Sequence, residues 1–391
     1  MLVLARSYPS DVFPTLGLWV EQPTVRLAED CDVRVVSPVP WCPPLPELGP
    51  LRQYTRFRRL PAEEIRRGVQ ILRPRFAVGP GTTLYPFEAR AYAAGVERTV
   101  RRLRRTFPFD LVHAHMIYPD GVVAHRIAQR YGVPFVVTEH APWDGWLDRP
   151  GVARQAVPAA RAAASVLPVS TSVERSIRRY AGDSVQTEVI PVGVDTALFV
   201  PSGESERQSD RILYVGWINY NKGIDVLLEA MRGLAARGLP GRLALVGGSY
   251  YRNTRLQEER LRAVAASLDL GDRVTFLGRQ PPEEVARLMA RSAVVVLPSK
   301  AESFGAVLVE ALACGTPVVA TRCGGPEDIV DPEVGRLVPV GDPAALADAI
   351  SAVLASRGGY DPARLRARAV ERYSWEPVVE RIRAVYRRAA A

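Results

Sequence analysis

Short apolar runs alternate with amphipathic helical stretches along this chain, and the alternation stops once and begins again. In the first half, strand-like runs fall at 1–5, 32–37, 110–114, 134–138 and 165–169, with a closing strand at 188–191. Helical patterns fall at the end of 13–28 and over 88–105, 119–131 and 158–164. The segment 39–50 is rich in proline and is expected to be irregular. The second half gives strands at 211–216, 242–247, 274–277, 293–297 and 316–320, with helices over 223–237, 256–266, 283–290 and 306–314. These strands are mostly apolar rather than alternating, which a parallel sheet covered by helices on both faces requires. Two such units in tandem predict two doubly wound α/β domains facing each other across a cleft, with ligands at the carboxyl ends of the strands. The polar stretch 201–210 is the expected linker.

Composition narrows the function. None of the four cysteines forms a Cys-x-x-Cys pair, so neither a disulfide framework nor a zinc site is expected, and a reducing, cytoplasmic setting fits. The four histidines show no metal-binding spacing. The apolar start at 1–5 is broken too soon for a signal peptide, and no run reaches the roughly 18 apolar residues of a membrane span. The net charge is +9, and 51–110 alone carries 14 arginines against 5 acidic residues. That stretch is either a solvated helical face or a platform for an anionic lipid surface or anionic acceptor. No nucleic-acid-binding signature accompanies it.

Chemistry concentrates at predicted strand ends. Pro298-Ser299-Lys300-Ala301-Glu302-Ser303-Phe304-Gly305 leaves a buried strand and leads into a helix that carries Glu310 among apolar neighbours. A carboxylate so placed needs a partner or a polar ligand. Two such carboxylates suit hydrogen bonding to vicinal sugar hydroxyls. Gly216-Trp217-Ile218-Asn219-Tyr220-Asn221-Lys222-Gly223 sets a lysine just before a helix, where it can meet a phosphate. Gly247 lies in a glycine turn, Val246-Gly247-Gly248-Ser249. Thr321-Arg322-Cys323-Gly324-Gly325 is a plausible phosphate cradle, with Arg322 beside it. None of these is a dinucleotide-binding or Walker loop. In the first half, His113 and His115 flank Ala114 at a strand end and are expected to point opposite ways. His115 is then the better cleft candidate, and His140 follows another strand end. Gly17 marks either a close approach of backbone to ligand or a turn.

Taken together, these motifs resemble the retaining glycosyltransferases of the glycogen-synthase-like superfamily, glycosyltransferase group 1, with the GT-B fold. Glu302 and Glu310, with seven residues between them, carry the resemblance. Lys222-Gly223, His115 to Gly121, Val189 to Asp195, Cys323 to Val330 and Gly335 to Pro339 support it. The resemblance implies a donor held in the second domain. There Glu310 would lie on the nucleotide ribose, Glu302 beside the sugar hydroxyls and Lys222 on the diphosphate. Backbone amides at Phe304 and Gly305 would lie near the sugar, with Gly216, Trp217, Gly247, Ser303, Ala306 and Arg322 completing the donor site. Gly17 would approach the phosphates from the first domain. His115 would be the acceptor-side histidine near the donor sugar, and His140 is grouped with it. His115, Lys222 and Glu302 are the expected catalytic residues. The final helix is expected to cross back, giving domains of 1–200 plus 375–391 and of 211–374.

The sequence departs from the family pattern twice. Trp217 stands where an arginine is usual, with Arg322 the candidate replacement, and the segment at 190–193 reads Ile-Pro-Val-Gly rather than Ile-Pro-Asn-Gly. The expected reaction moves a sugar from a nucleoside diphosphate sugar to a hydroxyl of a glycan or lipid-linked acceptor, with no metal and no cofactor. The alternative is a nucleotide-sugar-binding protein with weak or no activity.

Overall fold

The computed structural model describes residues 1–41, 55–78, 85–203, 207–248, 254–356 and 358–391. It divides into two compact units, Met1–Ile190 with Val379–Ala391, and Pro191–Val378.

The first unit contains β1 (Leu2–Leu4), α1 (Leu18–Leu27), β2 (Arg34–Val36), β3 (Val39–Pro40), β4 (Glu63–Arg66), β5 (Val69–Leu72) and β6 (Arg75–Phe76). There follow α2 (Glu88–Thr106), β7 (Val112–His115), α3 (Val122–Tyr131), β8 (Phe135–Glu139), α4 (Pro150–Ala162), β9 (Ser165–Pro168) and α5 (Thr171–Ala181). Seven strands form one sheet in the order β4-β5-β2-β1-β7-β8-β9, parallel except for β4 against β5. Its strands β1, β7 and β8, and β9 at the edge, are buried along their length. This is the packing their unbroken apolar sequence predicts.

The second unit is wound the same way. It contains β10 (Gln208–Val215), α6 (Ile224–Ala236), β11 (Arg242–Val246), α7 (Thr254–Ser267), β12 (Val274–Gly278), α8 (Pro282–Ala290), β13 (Ser292–Leu297) and α9 (Ala306–Ala313). It continues with β14 (Val318–Thr321), β15 (Gly335–Val338), α10 (Pro343–Ala355) and α11 (Pro362–Tyr373). Its six strands are all parallel, in the order β12-β11-β10-β13-β14-β15. Ile212, Tyr214, Leu227, Leu228, Met231 and Leu245 lie in its core. Strand order reverses between β10 and β13 here, and between β1 and β7 in the first unit. The ends of those strands are where such sheets bind ligands. The last helix, α12 (Trp375–Ala390), begins in the second unit, and its residues from Val379 belong to the first.

Several expectations are corrected. The units divide at Ile190, and 208–210 open β10 rather than a linker. Residues 204–206 lie outside the described residues, as do 42–50 of the proline-rich segment, whose Val39–Pro40 pairs as a strand with β6. Residues 188–191 form no strand. Thr187 makes a single bridge to Val166, and Pro191 has no N–H to extend a ladder. The helix expected at 158–164 starts at Pro150, a first-turn position that proline suits, and carries Pro158 within it. The helix expected at 119–131 starts at Val122, after an irregular turn over Ile117–Gly121.

The arginine-rich stretch is partly consumed internally. Arg73 is 1% exposed and donates to Glu64 at 3.0 Å and to the Pro9 carbonyl at 2.7 Å. Arg66 pairs with the buried Glu21, and Arg75 donates to the carbonyls of Phe57 and Leu60. Arg56, Arg58, Arg59, Arg98, Arg102 and Arg105 remain exposed, and Arg52 lies outside the described residues.

Candidate active site

In the second unit, the ends of β10 and β13 bring Lys222 and Glu302 together. Gly223, left-handed at φ 61, packs so closely that a Cβ would lie 2.0 Å from the Pro298 carbonyl oxygen. This glycine therefore lets the Lys222 turn approach the loop after β13. Lys222 Nζ donates to Glu302 Oε2 at 2.5 Å, and Ser299 Oγ lies 3.3 Å from the same oxygen. The Glu302 backbone is pinned as well. Its N–H donates to the Cys323 carbonyl at 3.2 Å, and its carbonyl accepts from Gly325 N–H at 2.9 Å. Beside it, Lys300 Nζ lies 3.2 Å from Asp225 and 3.5 Å from the Tyr220 ring centroid.

Gly305, at φ 99, is the N-cap of α9 and offers no capping side chain. Among the described residues, the amides of Ser303, Phe304, Gly305 and Ala306 have no hydrogen-bond acceptor. They gather at the positive end of the helix. Glu310 lies in the same helix. Burial pushes its carboxyl up to about 7, and no described residue pairs with it. By contrast, the expected glycine cradle is already spent. Gly324 N–H donates to Glu327 Oε1 at 3.2 Å and Gly325 N–H to Glu302. Arg322 is exposed, and its amide bonds the Val338 carbonyl.

A second group lies at the ends of β10, β11 and β12. Gly216 N–H donates to Val246, Ile218 N–H to Gly248 and Gly247 N–H to Gly278, all carbonyls within 3.2 Å. A Cβ on Gly247 would lie 1.8 Å from the Gly216 carbonyl oxygen, so these turns touch backbone to backbone. Trp217 stands on this ledge, 39% exposed, with its carbonyl accepting from the Tyr214 hydroxyl at 2.8 Å. The Arg279 guanidinium lies 5.8 Å from the Trp217 ring centroid. Sequence reasoning missed Arg279, although it follows a strand-end glycine just as Trp217 follows Gly216. Ser249 lies outside the described residues.

In the first unit, three histidines converge. His113 and His115 stack at 4.4 Å between centroids rather than pointing apart, because residues two apart share one face of a strand. His113 bonds the Tyr386 hydroxyl at 2.6 Å and the Thr138 hydroxyl at 2.8 Å. His115 Nδ1 lies 3.0 Å from His140 Nε2. Burial holds the imidazoles of His113 and His140 down to about 3 and that of His115 well below its usual value. Glu139, unflagged in the sequence, accepts from the amides of Ile117, His140 and Ala141 and from the Trp143 indole, at 2.9 to 3.4 Å. Burial still pushes its carboxyl up to about 7. A charged residue ending an apolar strand was the available signal. Gly17, at φ 83, is the N-cap of α1, and a Cβ there would lie 2.3 Å from the Ser7 carbonyl oxygen. Among the described residues, no group of three His, Cys, Asp or Glu side chains is placed to hold a metal ion.

The models for glycosyl transferases group 1 and glycosyltransferase family 4 match residues 198–372 and 24–198. A D-inositol 3-phosphate glycosyltransferase of Acidothermus cellulolyticus is 36% identical over 339 residues, covering 78% of this chain and 73% of the relative. The chain is a group 1, family 4 glycosyltransferase. A relative of the same name from Xylanimonas cellulosilytica is 33% identical to this glycosyltransferase, over 84% of each chain. In fold, the glycosyltransferase is similar to sucrose-phosphate synthase from Thermosynechococcus elongatus, with TM-score 0.80, 24% identity and coverage of 99% and 98%. It is also similar to Anabaena HepE, solved in complex with UDP and glucose, with TM-score 0.72, 20% identity and coverage of 98% of each. Its two parallel-sheet units are the Rossmann-like lobes of a GT-B glycosyltransferase.

Proposed function

We propose that this glycosyltransferase transfers a sugar from a nucleoside diphosphate sugar to a hydroxyl of an anionic acceptor, retaining configuration and using no metal. One observation carries the reading. A lysine, a carboxylate and a run of unspent amides meet at the strand-order reversal of the second unit, with the unpaired Glu310 in the helix behind. Glu310 takes the ribose hydroxyls, and Glu302 with the amides of Ser303, Phe304, Gly305 and Ala306 takes the sugar. Lys222 takes the diphosphate. Gly216 and Gly247 let the turns of the ledge beneath Trp217 close backbone to backbone, and Gly17 allows a similar close approach in the first unit. We add Arg279, beside Trp217, to Arg322 as a source of the second cation. His115 and His140 serve the acceptor side.

The bond from the sugar's anomeric carbon to the diphosphate breaks, and its electron pair leaves with the phosphate. The acceptor oxygen bonds the same carbon, and its proton passes to a phosphate oxygen. Lys222 and the amides stabilise the growing charge. Glu302 is tied to Lys222 and Ser299, which suits orientation of hydroxyls rather than nucleophilic attack.

A phosphorylated acceptor is supported by the names of the relatives, whose substrate is an inositol phosphate. The lipid-linked alternative is supported by the exposed Arg98, Arg102 and Arg105 of α2. No described helix is long and apolar enough to cross a membrane. Product release over a panel of nucleotide sugars, with inositol phosphate and lipid-linked sugars as acceptors, tests the reading. Tight nucleotide binding without turnover on any pair would indicate a binding protein instead. Sedimentation with anionic liposomes across a salt series decides the lipid question, and no binding at low salt would remove it.

A further inference from the structure

The 3.0 Å contact between His115 Nδ1 and His140 Nε2 constrains both rings. A neutral imidazole carries one N–H, and the nitrogen left bare is an acceptor. His115 is buried and His140 half-buried among His113, the Glu139 segment and Trp19, whose ring lies 6.1 Å from His140, and the charged form is disfavoured there. Only one proton fits between the bonded nitrogens. If His140 donates it, His115 carries its own proton on Nε2 and His140 Nδ1 is bare. If His115 donates it, His140 carries its proton on Nδ1 and His115 Nε2 is bare. Neither outer nitrogen has a partner among the described residues. In both arrangements the outer nitrogens offer one donor and one acceptor.

We propose that His115 and His140 act as one tautomer-locked unit, presenting one hydrogen-bond donor and one acceptor to the hydroxyls of a polyol-like substrate. This rests on reading these histidines as the acceptor side. It differs from two independent histidines in a way that can be measured, because the lock forces both rings into the same tautomer, Nε2–H in both or Nδ1–H in both.

The test is 15N NMR of the full chain labelled at its four histidines, assigned by single substitution, at pH 7.5. Matched tautomers at His115 and His140 are expected. His140→Phe keeps a stacking ring but removes the lock, and should leave His115 with averaged 15N shifts. Mixed tautomers in the native chain, or His115 shifts unmoved in His140→Phe, overturn the coupling. Transfer turnover supplies the second readout. His115→Phe and His140→Phe should each lose about 100-fold, and the double variant no more than a few-fold beyond either. Losses that multiply overturn the shared role. Matched tautomers with undiminished turnover in both variants would instead remove the acceptor-side reading, and the proposal with it.

Discussion

Glu310 is the residue at which burial and function pull in opposite directions. Burial raises its carboxyl from 4.5 to about 7, so the folded chain favours the neutral form. Its contribution to stability is therefore full below 4.5 and lost as pH rises through about 7. Under the proposed function, ribose hydroxyls donating into the carboxylate favour the charged form, so nucleotide affinity should fall as pH drops from 8 to 6. Glu310→Gln should raise the thermal midpoint at pH 8 but not at pH 5, weaken binding of the donor nucleotide at least about tenfold, and flatten its pH dependence. Calorimetry at the two pH values checks this, and an equal midpoint shift at both would refute it. Lys222→Ala should lower turnover about 100-fold, with donor KM moving far less. The strand-end places of Lys222 and Glu302 and the apolar neighbours of Glu310 were legible in the sequence, while their roles rest on the proposed function. The histidines were misread, since strand period two puts His113 and His115 on one face. The glycine cradle was misread because sequence cannot show that the amides of Gly324 and Gly325 are already bonded.

Among the elements, the strand ends depend on glycines that replace side chains with backbone contact. Gly247 has φ 155, and a Cβ on Gly325 would lie 2.3 Å from Phe304 Cα. Gly247→Ala and Gly325→Ala should each cost about 2–4 kcal/mol, read as a lowered urea midpoint with unchanged m. A midpoint within error of the parent chain would show that the turns can spread. Most central strands and their helices were legible from apolar runs and periodicity. The strands β4, β5 and β6 were not, because Arg66, Arg73 and Arg75 interrupt them and only the folded chain supplies partners for those charges. The helices α5, α10 and α11 were also passed over, although each opens on a capping side chain. Ser170, Asp342 and Asp361 accept from amides two or three residues on, and in α10 and α11 a proline follows the cap.

For the whole molecule, tandem strand-helix alternation was enough to give two doubly wound units, and the motif resemblance supplied the GT-B reading. It could not give the division at Ile190, which depends on contacts rather than on local composition. The first unit is completed by 379–391, where Val379, Ile382, Val385 and Tyr386 are each at most 9% exposed and the Tyr386 hydroxyl meets His113. A chain ending at Val378 should therefore show one thermal transition shifted sharply down and the other close to its parent value. Two unshifted transitions would mean that the terminal helix contributes nothing to the first unit. The same arrangement has a bearing on synthesis. Everything between Pro191 and Val378 emerges from the ribosome before the last piece of the amino-terminal half does. The unit begun before Pro191 is consequently finished only after the unit that interrupts it, and it waits, with an apolar seam uncovered, for residues 379–391 to emerge.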